Sequence, residues 1–307
     1  LIVLLNKLLG RNNMLNFKDQ EKTLLVEQGK LEDEKSRDFI RGALGLQNKI
    51  VESSRHTILS GPPGVGKSYG TVDEINKAKV KHLFVPPGIS DIDLAMRLSY
   101  AVWSLKEDEE LVVVLDDADD VVFGDYKTLN KWKIAMGDID YSLGIIPHFN
   151  HPVSMTNTMV NLEKAGKTDL LAAVSKHQSP DSIGLSIPMD KVRFVVLCNL
   201  DLEDPKSFSS RKIRSAVEPV LDRFNYKRMD LDWEKQWGWL AYVLATTQPF
   251  DEASLDNEEK IDLLKFMYNN WKVLRSTSYR TVRRLAEAVI NFPDDYEGKW
   301  KNELKGH

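Results

Sequence analysis

The sequence predicts an α/β fold, a parallel sheet covered by helices on both faces, and three observations carry that expectation. Short runs such as "HTILS", "LVVVL" and "VRFVVLC" are apolar almost without interruption, as strands buried on both faces must be. Amphipathic, helix-like segments alternate with them, the order that builds parallel sheets through crossover connections. A glycine-rich turn, "GPPGVGKS", follows the first run and opens a helix-like segment. At 307 residues, 42% hydrophobic and 29% charged, the chain suits a globular protein of about two domains with a sizeable core.

Taken in order, the opening "LIVLLNKLLG" is apolar but lacks a basic flank and a small-residue cleavage site, and it is far short of a membrane span. It predicts neither a signal nor an anchor. Met14 is an alternative expected start: codons for "GRNN" can form a purine-rich ribosome-binding stretch, as in a bacterial or phage gene. Residues 19–53 are highly charged and mostly helical in pattern. A strand is expected at 56–60, a helix at 67–78 and a strand at 82–87. The next helix, 91–107, carries Leu94, Ala95, Leu98, Ala101, Val102 and Leu105 on one face. "ELVVVLDDADD" then reads as a strand running into acids, and "KVRFVVLCN" as a strand ending in an amide. The stretch between these two is far longer than one crossover helix requires, so 138–188 is read as an insertion.

The spacing Gly61-x-x-x-x-Gly66-Lys67-Ser68 matches the Walker A pattern. Gly61, Gly64 and Gly66 permit a loop whose N–H groups converge on an anion, and the helix that follows turns its positive end to the same anion. Lys67 is expected on the β- and γ-phosphates, and the Ser68 hydroxyl on Mg²⁺. Asp116, at the C-terminal end of its strand, takes the Walker B position and holds Mg²⁺ through water, with Asp117 polarising the attacking water. The bland alternative is an Asp-rich solvated turn. Asn199 is suited to positioning that water or sensing the γ-phosphate, or else merely ends its strand. Cys198 has no partner for an internal disulfide and reads as a core thiol in a reducing, cytoplasmic setting. A net charge of -4 gives no global electrostatic case for nucleic acid. His148 and His151 lack a carboxylate or thiol to complete a metal set, so no transition metal is expected.

With these motifs in order, residues 36–292 resemble the AAA+ ATPase family: "GPPGVGKS" as Walker A, "LVVVLDD" as Walker B and "FVVLCN" as sensor 1. "AVEPVLDRFNYKRMDL" resembles the arginine-finger region and "TSYRTVRRLAEAV" sensor 2. The resemblance implies a five-stranded parallel P-loop sheet in the order 5-1-4-3-2, sandwiched by helices, with a small C-terminal helical lid. The expected domains are an N-terminal extension at 1–35, a nucleotide-binding domain at 36–232 and a lid at 233–307. It further implies a homo-oligomeric ring, a hexamer by expectation, with ATP held between neighbouring subunits.

Carried over residue by residue, the resemblance puts Gly61, Pro62, Pro63, Gly64, Val65, Gly66, Lys67, Ser68 and Tyr69 around ATP, and Ser68 and Asp116 on Mg²⁺. Lys67, Asp117 and Asn199 take catalytic roles. Asp117 stands where most members have Glu, one methylene longer. Arg223 best fits the finger that reaches the next subunit's γ-phosphate, with Arg211 and Arg214 as rivals. Arg280, Arg283 and Arg284 crowd the start of a helix whose apolar face is Tyr279, Val282, Leu285, Ala286, Val289 and Ile290. Cations there oppose the helix dipole, so an anion is expected, and Arg280 best matches sensor 2. Ile145, Ile146, His148 and Phe149 are candidates to line a pore, against the alternative of a packed turn. The implied activity is Mg-ATP hydrolysis coupled to remodelling or loading a protein or DNA partner, as in replication or recombination, in a bacterium or a phage-infected host. A slowly hydrolysing, ATP-gated module is the alternative, and a small-molecule kinase fits less well. No membrane partner is expected.

Overall fold

The computed structural model describes residues 17–45, 56–137, 146–152, 155–178, 184–208, 210–229, 231–246 and 255–304. A long helix, α1 (Phe17–Ala43), leads into β1 (His56–Ser60), α2 (Lys67–Ala78), β2 (His82–Val85), α3 (Asp91–Trp103) and β3 (Leu111–Leu115). Two short helices follow, α4 (Asp119–Phe123) and α5 (Tyr126–Ala135), then β4 (His148–Pro152), α6 (Met155–Lys164), α7 (Thr168–Lys176) and β5 (Gly184–Pro188). The chain returns through β6 (Val192–Cys198), α8 (Arg211–Leu221) and β7 (Phe224–Arg228). It ends in α9 (Trp233–Thr246), α10 (Asn257–Asn270), α11 (Tyr279–Asn291) and α12 (Tyr296–Trp300).

Five strands form one parallel sheet flanked by helices, in the order β2-β3-β6-β1-β7. In these labels the order differs from the expected 5-1-4-3-2. The expected numbering counted no strand in the insertion, whereas β4 and β5 lie there and pair antiparallel as a separate hairpin. Every residue of β1 and β3 is buried, as the unbroken apolar pattern requires of central parallel strands.

The chain divides into two compact units. One holds the described residues from 39 to 61 and from 67 to 228, hence the whole sheet. Its core joins the sheet to the insertion: the Trp132 ring meets Phe194 edge-on at 5.4 Å and Phe149 at 5.6 Å, and its Nε1 donates to the Val121 carbonyl at 2.8 Å. Ser99, buried on α3, lies 2.7 Å from Nδ1 of His177 and donates to the Ala173 carbonyl, which ties α7 to α3. Phe149 is therefore a core residue and not a pore-lining one: it is fully buried, with the Lys131 ammonium over its ring. His148 is half-buried in β4, Ile146 is exposed, and Ile145 lies outside the described residues.

The other unit holds residues 17–38, 62–66 and the described residues from 229 to 304. α1 runs unbroken through residue 35, where the sequence placed a boundary, and passes from one unit to the other at Asp38. Trp237, Leu240, Leu264, Met267, Leu285 and Trp300 are among its buried core residues. α1 crosses α9 so closely that a Cβ on Gly238 would lie 2.0 Å from the Leu25 carbonyl oxygen, which only glycine permits. On α11 the apolar face is as expected except for Ile290, which is exposed. No helix among the described residues is long and apolar enough to cross a membrane.

Candidate functional site

β3, β6 and β1 lie side by side in the sheet, so their C-terminal ends present Asp116, Asn199 and the start of the glycine-rich loop as neighbours. Ligands of open parallel sheets bind at this edge, because the turns into the following helices open there. The Gly61 N–H donates to the Cys198 carbonyl at 3.2 Å, carrying the β1–β6 ladder one residue into the loop. The chain then turns through left-handed backbone at Gly64 (φ 80°) and Gly66 (φ 87°) and enters α2 at Lys67.

Lys67 is buried, and its Nζ donates to the Gly61 carbonyl at 2.7 Å and to Oδ1 of Asn199 at 3.0 Å. Burial pulls its pKa below the ordinary lysine value, while the carboxylates of Asp117, Asp119 and Asp116 act in the opposite direction. An anion delivered to this ammonium would relieve the same penalty. The Ser68 hydroxyl donates to Oδ1 of Asp116 at 2.7 Å. A hydroxyl and a carboxylate at that separation are two hard oxygen donors, the set that suits Mg²⁺, which keeps most of its waters and binds through one or two protein oxygens and the substrate phosphates.

Asp117 is exposed and holds left-handed backbone at φ 46°, a conformation that Asp adopts more readily than most side chains. Its N–H donates to Oδ1 of Asp116 at 3.1 Å, and its Oδ1 accepts from Nδ2 of Asn199 at 3.2 Å. Asn199 thus touches both the lysine and the candidate base. Asp119 also binds Asn199. This carboxylate accepts from the Asn199 N–H at 2.9 Å, from Nδ2 of Asn199 at 3.0 Å and from the Leu200 N–H at 3.0 Å. Neighbouring Cys198 is buried, and burial pushes its thiol pKa up to about 12, so it stays protonated and unreactive as a core residue.

In the unit that holds Pro62–Gly66, the loop packs against the start of α11. The Tyr279 N–H donates to the Gly64 carbonyl at 3.3 Å, and a Cβ on Gly64 would fall 2.3 Å from Cβ of Ser278. Trp239 was also missed by the sequence reading. Its Nε1 donates to Asp33 at 3.0 Å, and its ring lies against Gly66, where a Cβ would meet Cζ2 at 2.5 Å. Val65 is buried, Pro62 half-buried, and Pro63 and Tyr69 exposed. Of the three arginines opening α11, two are ion-paired: Arg283 with Glu287 at 3.0 Å and Arg284 with Glu303 at 2.7 Å. Arg280 is exposed and has no ion pair among the described residues.

Arg223 is not brought to this edge. It precedes Phe224, which pairs with His56 at the start of β1, whereas Ser60 pairs with Arg228. Four strand steps at about 3.3 Å each put roughly 13 Å of sheet between Arg223 and the loop end of β1. Its Nη1 donates to the Pro219 carbonyl at 2.6 Å. Arg214 is exposed and donates to the Pro205 carbonyl at 2.6 Å, and Arg211 is exposed.

No family model matches the chain. It is similar to an "uncharacterized 36.7 kDa protein in nrdC-mobD intergenic region" of Enterobacteria phage T4, at 23% identity over 259 residues, covering 82% of this chain and 69% of that one. Among solved structures it is similar to a FIGL-1 AAA domain in complex with ADP, at a TM-score of 0.35 and 15% identity, covering 87% of this chain and 72% of that one.

Proposed function

We propose that this chain is an ATPase of the AAA+ kind, which binds Mg-ATP at the strand ends of β1, β3 and β6 and uses its hydrolysis to remodel or load a macromolecular partner. One observation carries the reading: Lys67 and Ser68, which open α2 directly after the glycine-rich loop, bond to Asn199 and Asp116 at the ends of β6 and β3, and Asp117 links the two pairs. The N–H groups of the loop and of the first turn of α2 receive the phosphates, and Lys67 neutralises their β/γ charge. Ser68 and Asp116 would hold Mg²⁺, which supplies charge neutralisation across the β- and γ-oxygens. Asp117 accepts the proton of the attacking water as its oxygen bonds to the γ-phosphorus and the bond to ADP breaks. Asn199 holds that water and the γ-phosphate in line. Arg280 is the sensor 2 cation, and Arg223 the finger for the next copy in a ring. The phage relative agrees with a phage or bacterial setting.

Asp117 is one methylene shorter than Glu, which favours a second reading, a slowly hydrolysing ATP-gated loader. Phosphate release in magnesium, measured with and without single-stranded DNA, separates the two by rate. Lys67→Ala removes the phosphate cation and leaves the loop amides, so turnover should fall by two or more orders of magnitude. Unchanged turnover in the folded variant would refute this reading.

A further inference from the structure

We infer that Asp119 is a positioning residue for the hydrolysis step, one that acts by fixing the direction in which the Asn199 side-chain amide faces. The inference rests on the ATPase reading above and adds to it a residue that neither contacts ATP nor holds Mg²⁺. A carboxylate only accepts hydrogen bonds and an ammonium only donates, so the neighbours of Asn199 decide its orientation. Lys67 at 3.0 Å requires Oδ1, and Asp119 at 3.0 Å and Asp117 at 3.2 Å require Nδ2. A flip of the amide would set NH₂ against NH₃⁺ on one side and oxygen against two carboxylates on the other.

Asp119 does more than accept from that amide. By taking the N–H groups of Asn199 and Leu200 it also holds the backbone from which the side chain projects. Its own place is fixed from behind. It opens α4, and Trp132 donates to the Val121 carbonyl of that helix from within the core. The chain of contacts therefore runs from the packed tryptophan through α4 and Asp119 to the amide that faces Lys67 and the candidate base. Asp117, by contrast, is exposed and holds only one of these bonds to Asn199.

Asp119→Asn is the discriminating substitution. The new Oδ1 still accepts the two backbone N–H groups, so the fold is kept, but the new NH₂ faces Nδ2 of Asn199, donor against donor, and turns the amide away from Lys67. Turnover should fall about ten- to a hundredfold, the cost of misplacing a positioned group by about 1 Å. The KM for ATP should change by less than about threefold.

The test is a double-mutant cycle in kcat with Asn199→Ala, run in magnesium alongside binding of a fluorescent ADP analogue. If Asp119 works through Asn199, adding Asp119→Asn to Asn199→Ala lowers kcat no further. Multiplying losses, or a loss in Asp119→Asn matched by an equal loss of nucleotide affinity, would overturn the inference and leave the ATPase reading standing. If Asp119→Asn does not fold, Asp119→Glu takes its place in the cycle. It keeps the carboxylate one methylene out of position, and the same non-additivity is expected. A folded wild type with no turnover at all would instead overturn the ATPase reading, and this inference with it.

Discussion

Asp117 and Asp119 lie two residues apart, yet their surroundings give them different work. Asp117 is exposed on left-handed backbone, with one carboxylate oxygen taken by Asn199, so it has room for water. Asp119 spends its oxygens on Asn199 and Leu200. If Asp117 is the base, Asp117→Asn should keep Mg-ATP affinity within about threefold and lose nearly all hydrolysis, because an amide still hydrogen-bonds but cannot accept the proton. Equilibrium binding and single-turnover phosphate release on the same preparation check this, and equal turnover in the two proteins would move the role elsewhere. That Lys67, Ser68, Asp116 and Asn199 come together was legible in the sequence, because spacing from a glycine loop or a strand end puts them at one edge of the sheet. The bonds that Asp119 makes were not, since their partners lie 80 and 81 positions away and nothing local separates Asp119 from Asp120.

At the scale of elements, the strand at 56–60 and the helix at 67–78 fall where the periodicity put them, while β2 stops at Val85 and α3 at Trp103, short of expectation. α3 ends early because Ser104 closes it and the polar turn "KEDEE" follows. The insertion was harder to read. Phe149 stands among histidines and proline, which looks like a surface turn, and the partners that bury it, Trp132 and Phe194, are remote in sequence. For the arginines of α11, the Glu287 partner was readable from its i,i+4 spacing, but Glu303 was not. Two substitutions separate packing from phosphate binding. Phe149→Ala should cost about 3–5 kcal/mol of stability and leave nucleotide affinity nearly unchanged. Gly64→Ala forces a side chain into left-handed backbone, at about 1–3 kcal/mol, and against Ser278, so it should abolish nucleotide binding. Denaturant unfolding and binding of a fluorescent ADP analogue read the two effects, and the reverse pattern would show that the loop is not the phosphate site.

For the whole molecule, the decisive feature is that β1 and β7 are parallel, which puts Arg223 and the loop end of β1 at opposite ends of one sheet. An arginine side chain spans far less than the roughly 13 Å between them, so Arg223 cannot serve its own site. As the proposed finger it would serve a neighbouring copy's site, where the guanidinium suits developing phosphoryl charge. If Arg223 is the finger, as proposed, a single copy is incomplete and specific activity should rise with protein concentration. The most direct measurement mixes two inactive proteins and follows phosphate release from ATP. Arg223→Ala keeps a sound Walker A loop and should lose about 10³- to 10⁵-fold in turnover, and Lys67→Ala keeps a sound finger and should lose about a hundredfold or more. Combined, they should recover a sizeable fraction of wild-type turnover at interfaces that pair an intact loop with an intact finger. A mixture that stays as inactive as its parts, while both variants demonstrably co-assemble, would contradict the account.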